Sequence, residues 1–437
     1  MVSKTEGKVN NLFEKKELDP GKDEFLPFFE SPWPDPPRNE CLYGLPGEVV
    51  NMLSPYCEGD NMAILTNHIV YFGNIVGRKP YFQVGATKHY LNEYVGQVGK
   101  TSKSRKGTAN DMVYAIYEII DEAWTKNTAP GLSSGEGLIA AVADEIKKTK
   151  INKKGVLEEI ILVEGVEDKR LLVVEQELAG VFQVMNRQGN TLSALIRTAY
   201  DRGNLRTLTK NSPIKATDAH ISIIGHTTDI ELQQTMTDRE KANGIGNRFF
   251  WICVRRSKVL PNCPVVPNEV LNELAKKIKD AVLFATIISK MQFSLDGLNF
   301  WERLYPVLTT EKPGILGAIT SRAEVHVLRW SMSYALQDLS IEIRPEHIDA
   351  ALAAWEFSEN SCKYLFGSKA ANTIEAEILQ ALKKKKSLSM SEIRDLFERN
   401  LPSVVYKKAL KNLYEAGLVG FIQEKTAGRN KVLWFLK

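Results

Sequence analysis

Residues 99–108 read Gly-Lys-Thr-Ser-Lys-Ser-Arg-Lys-Gly-Thr, after an apolar run from His89 to Val98 and before a helix-patterned segment from Asn110 to Trp124. A strand, a loop rich in Gly, Lys and hydroxyl residues, and a helix, in that order, are typical of a phosphate-binding loop. In such a loop backbone N–H groups face the anion, a Lys neutralises it and a hydroxyl holds Mg²⁺. We therefore predict nucleotide contacts from Gly99, Ser102, Arg105, Lys106, Gly107 and Thr108.

The loop departs from the standard pattern, in which Gly directly precedes the Lys and Ser or Thr directly follows it. Here Arg105 precedes Lys106, and Gly107 separates Lys106 from Thr108. One extra residue turns the hydroxyl by about 100° around a helix axis. A basic surface turn is therefore the alternative to a nucleotide loop.

Acidic residues follow a second apolar run, from Lys169 to Glu177. This run reads as a buried parallel strand, and acids at its carboxyl end lie where open α/β sheets bind ligands. We predict that Glu175 helps Thr108 to hold Mg²⁺ and that Glu177 orients the attacking water. The alternative is a buried strand that ends in solvated acids.

Three further residues are candidates for the same site. Glu136 follows Ser134, a natural N-cap, so it either orients water or only favours the helix dipole. His226 ends the apolar strand Ala219 to Thr228 and either contacts the nucleotide or makes an ordinary strand-end hydrogen bond. Arg248 lies between a glycine-rich turn and a strand, where it either reaches a neighbouring subunit's γ-phosphate or has a structural role.

Composition restricts the class of protein. A chain of 437 residues with 43% hydrophobic and 25% charged residues is typical of a soluble globular protein of two or three domains. No apolar run reaches membrane-spanning length, and the first residues do not resemble a secretory signal. Five scattered cysteines without a Cys-x-x-Cys pair, and six histidines without ligand spacing, indicate a cytoplasmic protein with no zinc site or disulfide framework.

The chain divides into segments of different character. Residues 1–40 are predicted to be an N-terminal arm, 41–265 an α/β core in which apolar strands alternate with helices, and 266–368 a helical lid. Residues 373–437 read as three short helices and a β-hairpin, a winged-helix pattern. This last segment carries 13 basic and 7 acidic side chains, a net charge of +6, against −2 for the remainder.

The basic segment predicts a DNA-binding surface. Lys407, Lys408 and Lys411 lie on its third helix, the element that would enter a DNA groove, and Arg429 lies at the hairpin tip. Winged helices also mediate protein contacts, so a protein partner is the alternative.

Many dispersed motifs between residues 40 and 367 resemble a family from phages, plasmids and integrative elements, catalogued as a domain of unknown function and often joined to primase modules. The resemblance is carried by Gly44 to Glu48, Gly73 to Gly77, Arg105 to Thr108, Gly131 to Leu138, Asp168 to Glu177, Asn190 to Ser193, Leu208 to Asn211, Ile221 to His226 and Asn243 to Trp251. Members of this family resemble RecA-type hexameric helicase ATPases and share the Arg-Lys-Gly-Thr form of the loop.

The resemblance implies a phosphate contact from Lys106, Mg²⁺ contacts from Thr108, and Glu175 as the Walker B acid. Residues 321–352 also resemble the helical lid of minichromosome-maintenance helicases, in which an Arg like Arg322 reaches the nucleotide.

Together these features predict an α/β protein with a RecA-like or AAA-like P-loop NTPase core, a helical lid and a C-terminal winged helix. We expect an ATP- and Mg²⁺-dependent DNA helicase or translocase that serves replication of a mobile element. Its expected form is a homo-oligomer, a hexamer, with single-stranded DNA in the ring channel, duplex DNA on the winged helix and a separate primase or polymerase. The alternatives are a nucleotide-controlled DNA-binding initiator or adaptor, and a scaffold if the Gly107 insertion disables the loop.

Overall fold

The structure is a computed structural model that describes residues 33–437 apart from 152–156, 208–213, 238–239, 242, 313, 368–372, 398–402, 416 and 425–430. Its helices are α1 (Gly44–Leu53), α2 (Asn61–Val76), α3 (Lys106–Ile120), α4 (Glu122–Thr125), α5 (Gly135–Ala140), α6 (Leu178–Met185), α7 (Leu192–Asp201), α8 (Asp229–Thr235), α9 (Asn268–Ile287), α10 (Leu295–Leu308), α11 (Gly314–Thr320), α12 (Ala323–Gln337), α13 (Pro345–Phe366), α14 (Thr373–Lys385), α15 (Met390–Leu396) and α16 (Ser403–Glu415).

Its strands are β1 (Tyr81–Val84), β2 (Thr87–His89), β3 (Tyr94–Gly99), β4 (Ile146–Ile151), β5 (Leu157–Val163), β6 (Arg170–Glu175), β7 (Leu205–Arg206), β8 (Lys215–Ala216), β9 (His220–Thr228), β10 (Phe249–Cys253), β11 (Lys290–Phe293), β12 (Glu342–Ile343), β13 (Ser387–Ser389), β14 (Val419–Glu424) and β15 (Lys431–Leu436). The predicted arm lies almost wholly outside the described residues.

Four parallel strands form the central sheet, in the order β10-β3-β9-β6. Their side chains are largely buried on both faces, as near-continuous apolar runs require. A parallel bridge from Ala129 to Val173 continues the pairing on the far side of β6. The carboxyl ends of the four strands therefore meet at one edge of the sheet, called here the carboxyl edge, and their amino ends at the opposite, amino edge.

Helices cover both faces of this sheet, so the protein is α/β. Alternate strand residues enter two hydrophobic clusters, one with α1, α2, α3, α9, α12 and α13, the other with α5, α6, α7 and α8. Gly96 lies against Trp251, whose ring atoms would be 2.3 Å from an added Cβ, so only glycine allows β3 and β10 to pair at this point.

A second sheet links distant parts of the chain, in the order β12-β11-β1-β2. Strand β1 pairs in parallel with β11, so residues assigned to the core by sequence share a sheet with residues assigned to the lid. The first hydrophobic cluster also contains residues from both segments. The described residues 41–366 therefore pack around shared cores, with short hairpins formed by β4–β5 and β7–β8.

The C-terminal segment has its own hydrophobic cluster, which includes Ile378, Leu382, Ile393, Leu410 and Val419. Its helices α14, α15 and α16 pack with a three-stranded antiparallel sheet in the order β13-β15-β14. The predicted helices and hairpin are present in this segment, whereas the short strand β13 was not predicted.

The apolar spacing of the sequence also predicts helices from Ile139 to Ile146 and from Phe182 to Arg197, and both predictions are wrong in extent. The helix expected from Ile139 to Ile146 ends at Ala140, because Ile146 instead begins β4 and pairs with Val163. The helix expected from Phe182 to Arg197 is interrupted between α6 and α7, where Gly189 adopts φ 79° and Asn190 accepts a hydrogen bond from the N–H of Leu192. Within the described part of the chain, none of the helices combines the length and apolar character needed to cross a membrane.

Candidate functional site

The carboxyl edge of the central sheet brings three of the predicted segments together. In the register of the strands, Gly99 on β3 lies beside Thr228 on β9, and Glu175 on β6 lies beside Gly225. The loop after β3 leads directly into α3. Because ligands of open α/β sheets bind in the crevice outside the carboxyl ends of the strands, this edge is the candidate site.

Hydrogen bonds within the loop set its shape. The hydroxyl of Thr101 accepts from the N–H of Lys103, and the hydroxyl of Ser104 donates to the carbonyl of Thr101 at 2.7 Å. A Cβ on Gly99 would lie 2.0 Å from the Ser104 hydroxyl, so the close approach of loop and strand requires glycine at this position. Ser102 lies in the 3₁₀ turn Ser102–Ser104, and its side chain is outside the part that the structure describes.

Lys106 is the first residue of α3, and only 9% of its surface is exposed. Its Nζ lies 3.1 Å from the position that a Cβ on Gly99 would take, so the ammonium group folds back over the end of β3. Among the described residues, Nζ has neither a hydrogen-bond acceptor nor an ion-pair partner within contact distance. Burial lowers the pKa of Lys106, an effect that the more distant carboxylate of Glu231 opposes. The site therefore contains a largely buried lysine whose ammonium group has no direct partner among the described residues.

Glu175 ends β6 and is 8% exposed. Its Oε1 accepts hydrogen bonds from the main-chain N–H groups of Gly131 at 2.6 Å and Leu132 at 2.5 Å. The carboxylate thus fixes the loop before α5 against the edge of the sheet. Within the described residues, Oε2 has no hydrogen-bond donor, so one oxygen is available to a ligand.

His226 lies on β9, between the loop strand and the acid strand, and is 2% exposed. Burial lowers its pKa to about 4, and the positive charge of Lys106 contributes to the shift, so the ring is neutral at pH 7. Its Nδ1 lies 3.1 Å from Oε1 of Gln176, an arrangement in which Nδ1–H donates to the amide oxygen. Nε2 is buried and without a partner among the described residues.

Sequence reasoning missed Gln176, although it directly follows Glu175. Its Oε1 lies 3.8 Å from where a Cβ on Gly107 would be, close to the first turn of α3. Gln176 therefore links the acid strand, His226 and the helix that begins at Lys106.

The other predicted residues of this edge lie around these groups. Thr108 is partly buried in the first turn of α3, Glu177 is exposed directly before α6, and Glu136 is exposed in the first turn of α5. The Ser134 hydroxyl accepts from the N–H of Gly137 at 3.0 Å, which confirms the predicted N-cap. The roles of Thr108, Glu136 and Glu177 stay predictions.

Arg105 lies in the loop, but its side chain turns away from Lys106. Its Nε donates to Oε2 of Glu58 at 2.9 Å. The backbone of Arg105 directly precedes α3 and has φ 58°.

Arg248 and Arg322 lie away from this edge. Arg248 precedes β10, whose first residue pairs with Tyr94 at the amino end of β3. Five residue steps separate Tyr94 from Gly99, about 17 Å along a strand. Asp201 holds both arginines: Oδ2 lies 2.5 Å from Nη2 of Arg248, and Oδ1 lies 3.0 Å from Nη1 of Arg322. The structure therefore brings the two arginines to each other and not to Lys106.

Of the residues predicted to bind DNA, Lys407 and Lys411 are exposed on α16, and Lys408 belongs to the same helix. Arg429 lies outside the described residues. Across the described ranges, no group of three or more His, Cys, Asp and Glu side chains is arranged to hold a metal ion.

Comparisons with known proteins give no relative: no protein-family model matches the chain, and no curated protein matches it. The resemblance to the mobile-element family therefore stays a prediction.

Proposed function

We propose that the chain is a P-loop ATPase with a RecA-like or AAA-like core that binds ATP and Mg²⁺ and acts as a DNA helicase or translocase. The observation that carries the proposal is the largely buried side chain of Lys106, whose ammonium group lies over Gly99 at the start of α3 without a direct partner among the described residues. Partial burial disfavours the charged form, and an anion that binds beside it offsets this cost.

The start of α3 suits a phosphate. The first N–H groups of a helix have no acceptor within the helix, and the helix dipole favours a negative charge at this end. Helix α3 has 15 residues, and its first turn consists of Lys106, Gly107, Thr108 and Ala109, without an acidic side chain. These groups would bind the β- and γ-phosphates.

The spacing of the strands leaves room for phosphate oxygens and a cation between the loop and the acid. Glu175 lies on β6, two strands from β3, which is about 10 Å at the usual spacing of neighbouring strands. Thr108 and the free Oε2 of Glu175 would hold Mg²⁺, which when bound neutralises charge on the phosphates. His226 and Gln176 lie between the two, and Glu177 or Glu136 would orient the attacking water.

The position of Arg248 supports action between subunits. Because it lies at the amino edge, it cannot reach the Lys106 site of its own chain, and its largely buried side chain would have to become accessible at an interface to reach the site of a neighbour in a ring. For this role, either the ion pair between Arg248 and Asp201 opens, or Asp201 holds the Arg248 guanidinium in the orientation that contacts the neighbour's nucleotide. Arg322, on the same carboxylate, would act beside it.

The C-terminal segment supports the DNA part of the proposal. Its separate core, its three helices and its terminal hairpin suit a winged helix, with α16 as the element that approaches duplex DNA. Single-stranded DNA would pass through the ring, and priming would need a separate primase or polymerase.

A second candidate is a nucleotide-controlled initiator or adaptor that binds ATP without unwinding DNA. It is favoured by the main-chain N–H groups that already occupy one oxygen of Glu175, since these compete with a role in hydrolysis. ATP turnover by the purified full-length protein, measured with and without single-stranded DNA, decides between them. Turnover stimulated by DNA supports the helicase or translocase, and nucleotide binding without turnover supports the initiator or adaptor.

A further inference from the structure

The residue before Lys106 has an unusual backbone conformation. Arg105 adopts φ 58° and ψ 30°, the left-handed region that glycine enters freely and that other residues avoid. The standard phosphate-binding loop has glycine at this place, directly before its lysine. An arginine therefore stands where the standard loop has glycine, in a conformation that glycine adopts freely.

The side chain of Arg105 is held from outside the loop. Its Nε donates to Oε2 of Glu58 at 2.9 Å, and the carboxylate belongs to the segment between α1 and α2. Glu58 is only 9% exposed along its side chain, whereas Arg105 is 47% exposed. The carboxylate is the fixed member of the pair, and the arginine is the member that it restrains.

Further contacts explain why Glu58 is fixed. Its Oε1 accepts from the N–H of Leu260 at 2.6 Å and pairs with the guanidinium of Arg256. The hydrogen bond from Arg256 is the largest cause of the lowered pKa of Glu58, so the group is ionised at neutral pH. The main chain of Glu58 also accepts from the N–H of Ser257 at 2.9 Å.

The same segment touches the backbone of α3. A Cβ on Gly59 would lie 3.1 Å from both the carbonyl oxygen of Arg105 and the Cβ of Ala109. Residues 57–60 thus lie directly against the turn at which the loop becomes a helix, and Glu58 extends from this platform to the Arg105 side chain.

We propose that Glu58 is a positioning residue of the phosphate site: it holds Arg105 in the left-handed conformation and so keeps Lys106 at the start of α3, over Gly99. This inference rests on the proposed nucleotide site and adds to it a residue outside the loop. It also explains how the loop functions without glycine before its lysine, because an ion pair replaces the conformational freedom of glycine.

The test is a set of variants of the full-length protein titrated with a fluorescent ATP analogue. Glu58→Ala should weaken binding about tenfold in the wild-type background, the scale set by the cost of a left-handed non-glycine residue. In an Arg105→Gly background, Glu58→Ala should weaken binding about twofold or less, since glycine adopts the left-handed conformation without a restraining ion pair. Arg105→Ala should bind the analogue about tenfold more weakly than Arg105→Gly. Alanine lacks both the ion pair with Glu58 and the freedom of glycine to adopt the left-handed conformation.

Glu48→Ala is the matched control, because it removes the acidic member of a different ion pair, with Lys277, that does not involve the loop. Its affinity should stay within about threefold of wild type. The inference is overturned if Glu58→Ala costs the same in both backgrounds, if Arg105→Ala and Arg105→Gly bind equally, or if Glu48→Ala matches Glu58→Ala. Circular dichroism and light scattering confirm that each variant is folded and assembled as the wild type is.

A measurement without nucleotide separates this inference from the proposed function. Arg105→Gly should unfold at a higher temperature than Arg105→Ala, since only alanine is strained at φ 58°. If the wild type does not bind ATP, the proposed function is wrong, but the two melting temperatures still test whether the left-handed conformation of residue 105 favours glycine. Equal melting temperatures of Arg105→Gly and Arg105→Ala would overturn the inference.

Discussion

Arg248 and Asp201 form an ion pair, with 2.5 Å between Nη2 and Oδ2, at the edge of the sheet opposite Lys106. The second oxygen of Asp201 holds Arg322, so one carboxylate fixes two cations that directly precede β10 and α12, about 70 residues apart in the chain. Both arginines therefore lie near the amino edge of the sheet, too far from Lys106 to serve the site of their own chain.

Mixing two inactive variants tests whether Arg248 acts between subunits. Arg248→Ala should bind ATP normally but lose hydrolysis, and Lys106→Ala should lose binding. A mixture should recover activity, because some interfaces then combine an intact Lys106 with an intact Arg248. The measurement is phosphate release across mixing ratios. An inactive mixture would contradict the action of Arg248 between subunits, and a protein that stays monomeric by light scattering with nucleotide and DNA would rule out the ring.

Replacing Lys106 should separate ligand binding from stability. Lys106→Met keeps the apolar stem and removes the charge of a largely buried side chain that has no direct partner among the described residues, so ATP binding should be lost while the melting temperature of the free protein stays the same or rises. Calorimetric titration and thermal unfolding measure the two effects. Lys103→Met, in the same loop and exposed, is the control and should bind nearly as wild type does. Unchanged affinity in Lys106→Met would end the phosphate-loop assignment.

Glu175→Gln should uncouple binding from turnover. The neutral amide can still accept a hydrogen bond from the 131–132 main chain, so the edge of the sheet should keep its shape. ATP binding should largely survive, and hydrolysis should fall by about two orders of magnitude or more, since a metal ligand and a stabilising charge are removed. Glu118→Gln, exposed near the end of α3, provides the comparison. Normal turnover in Glu175→Gln would contradict the assigned role.

Acid should destabilise the protein through His226. The unfolded ring takes up a proton near pH 6.5, whereas burial lowers the folded pKa to about 4, so between these values the unfolded state binds more protons and stability falls as the pH falls. The contribution approaches about 1.4 kcal/mol per pH unit within this window. His226→Asn should therefore reduce the pH dependence of urea unfolding between pH 6.5 and 4 by this amount, while the lowered pKa values of His68, His89 and His220 keep the rest of the slope. The same slope in variant and wild type would show that the ring is not buried in its neutral form.

Charge reversal on α16 tests the DNA surface. Changing Lys407, Lys408 and Lys411 to Glu in the full-length protein should abolish duplex binding at moderate salt and reduce its salt dependence, because each lost phosphate contact removes about one unit of slope. Basal ATP turnover should not change. Fluorescence anisotropy at several salt concentrations gives both quantities. The control is the same charge reversal at Lys383, Lys384 and Lys385 on α14. An equal loss of duplex binding in this variant would show that binding depends only on the net charge of the segment.

The C-terminal segment should also fold as an isolated piece, since residues 373–437 have a separate hydrophobic cluster. Alone, it should bind duplex DNA weakly, because a module of this size contacts few phosphates. If it shows no affinity even at low salt, the segment is a protein-docking module, and the helicase proposal rests on the core.

The parts of the fold that sequence predicts well are those with a strong local signal. Strands β6 and β9 are apolar runs rich in branched residues, and their bounds agree closely with the predicted runs. Strand β4 lacks such a signal, because Ile146 continues the apolar spacing of the preceding helix and only its partner β5 makes it a strand. The sheet of β1 and β11 is not predictable in this way, since about 200 residues separate the two strands.

The same distinction applies to the site. Sequence motifs identify Lys106 and Glu175 as candidate site residues, but they do not predict how far these side chains are buried or which groups they contact. Glu58 is 47 residues from Arg105 along the chain, and the hydrogen bond between them depends on how α2 packs beside α3. A local pattern specifies the loop, whereas the groups that restrain it come from tertiary packing.

The separation of Lys106 and Arg248 also has a consequence for stoichiometry under the proposed role of Arg248. Each chain then contributes one half of two different sites, so a linear row of n chains contains n − 1 complete sites and only a closed ring contains n. Dilution would lower the turnover per chain even where every chain stays folded. Closing the ring would itself add one active site, because the free Lys106 site at one end of the row would then meet the free Arg248 at the other end.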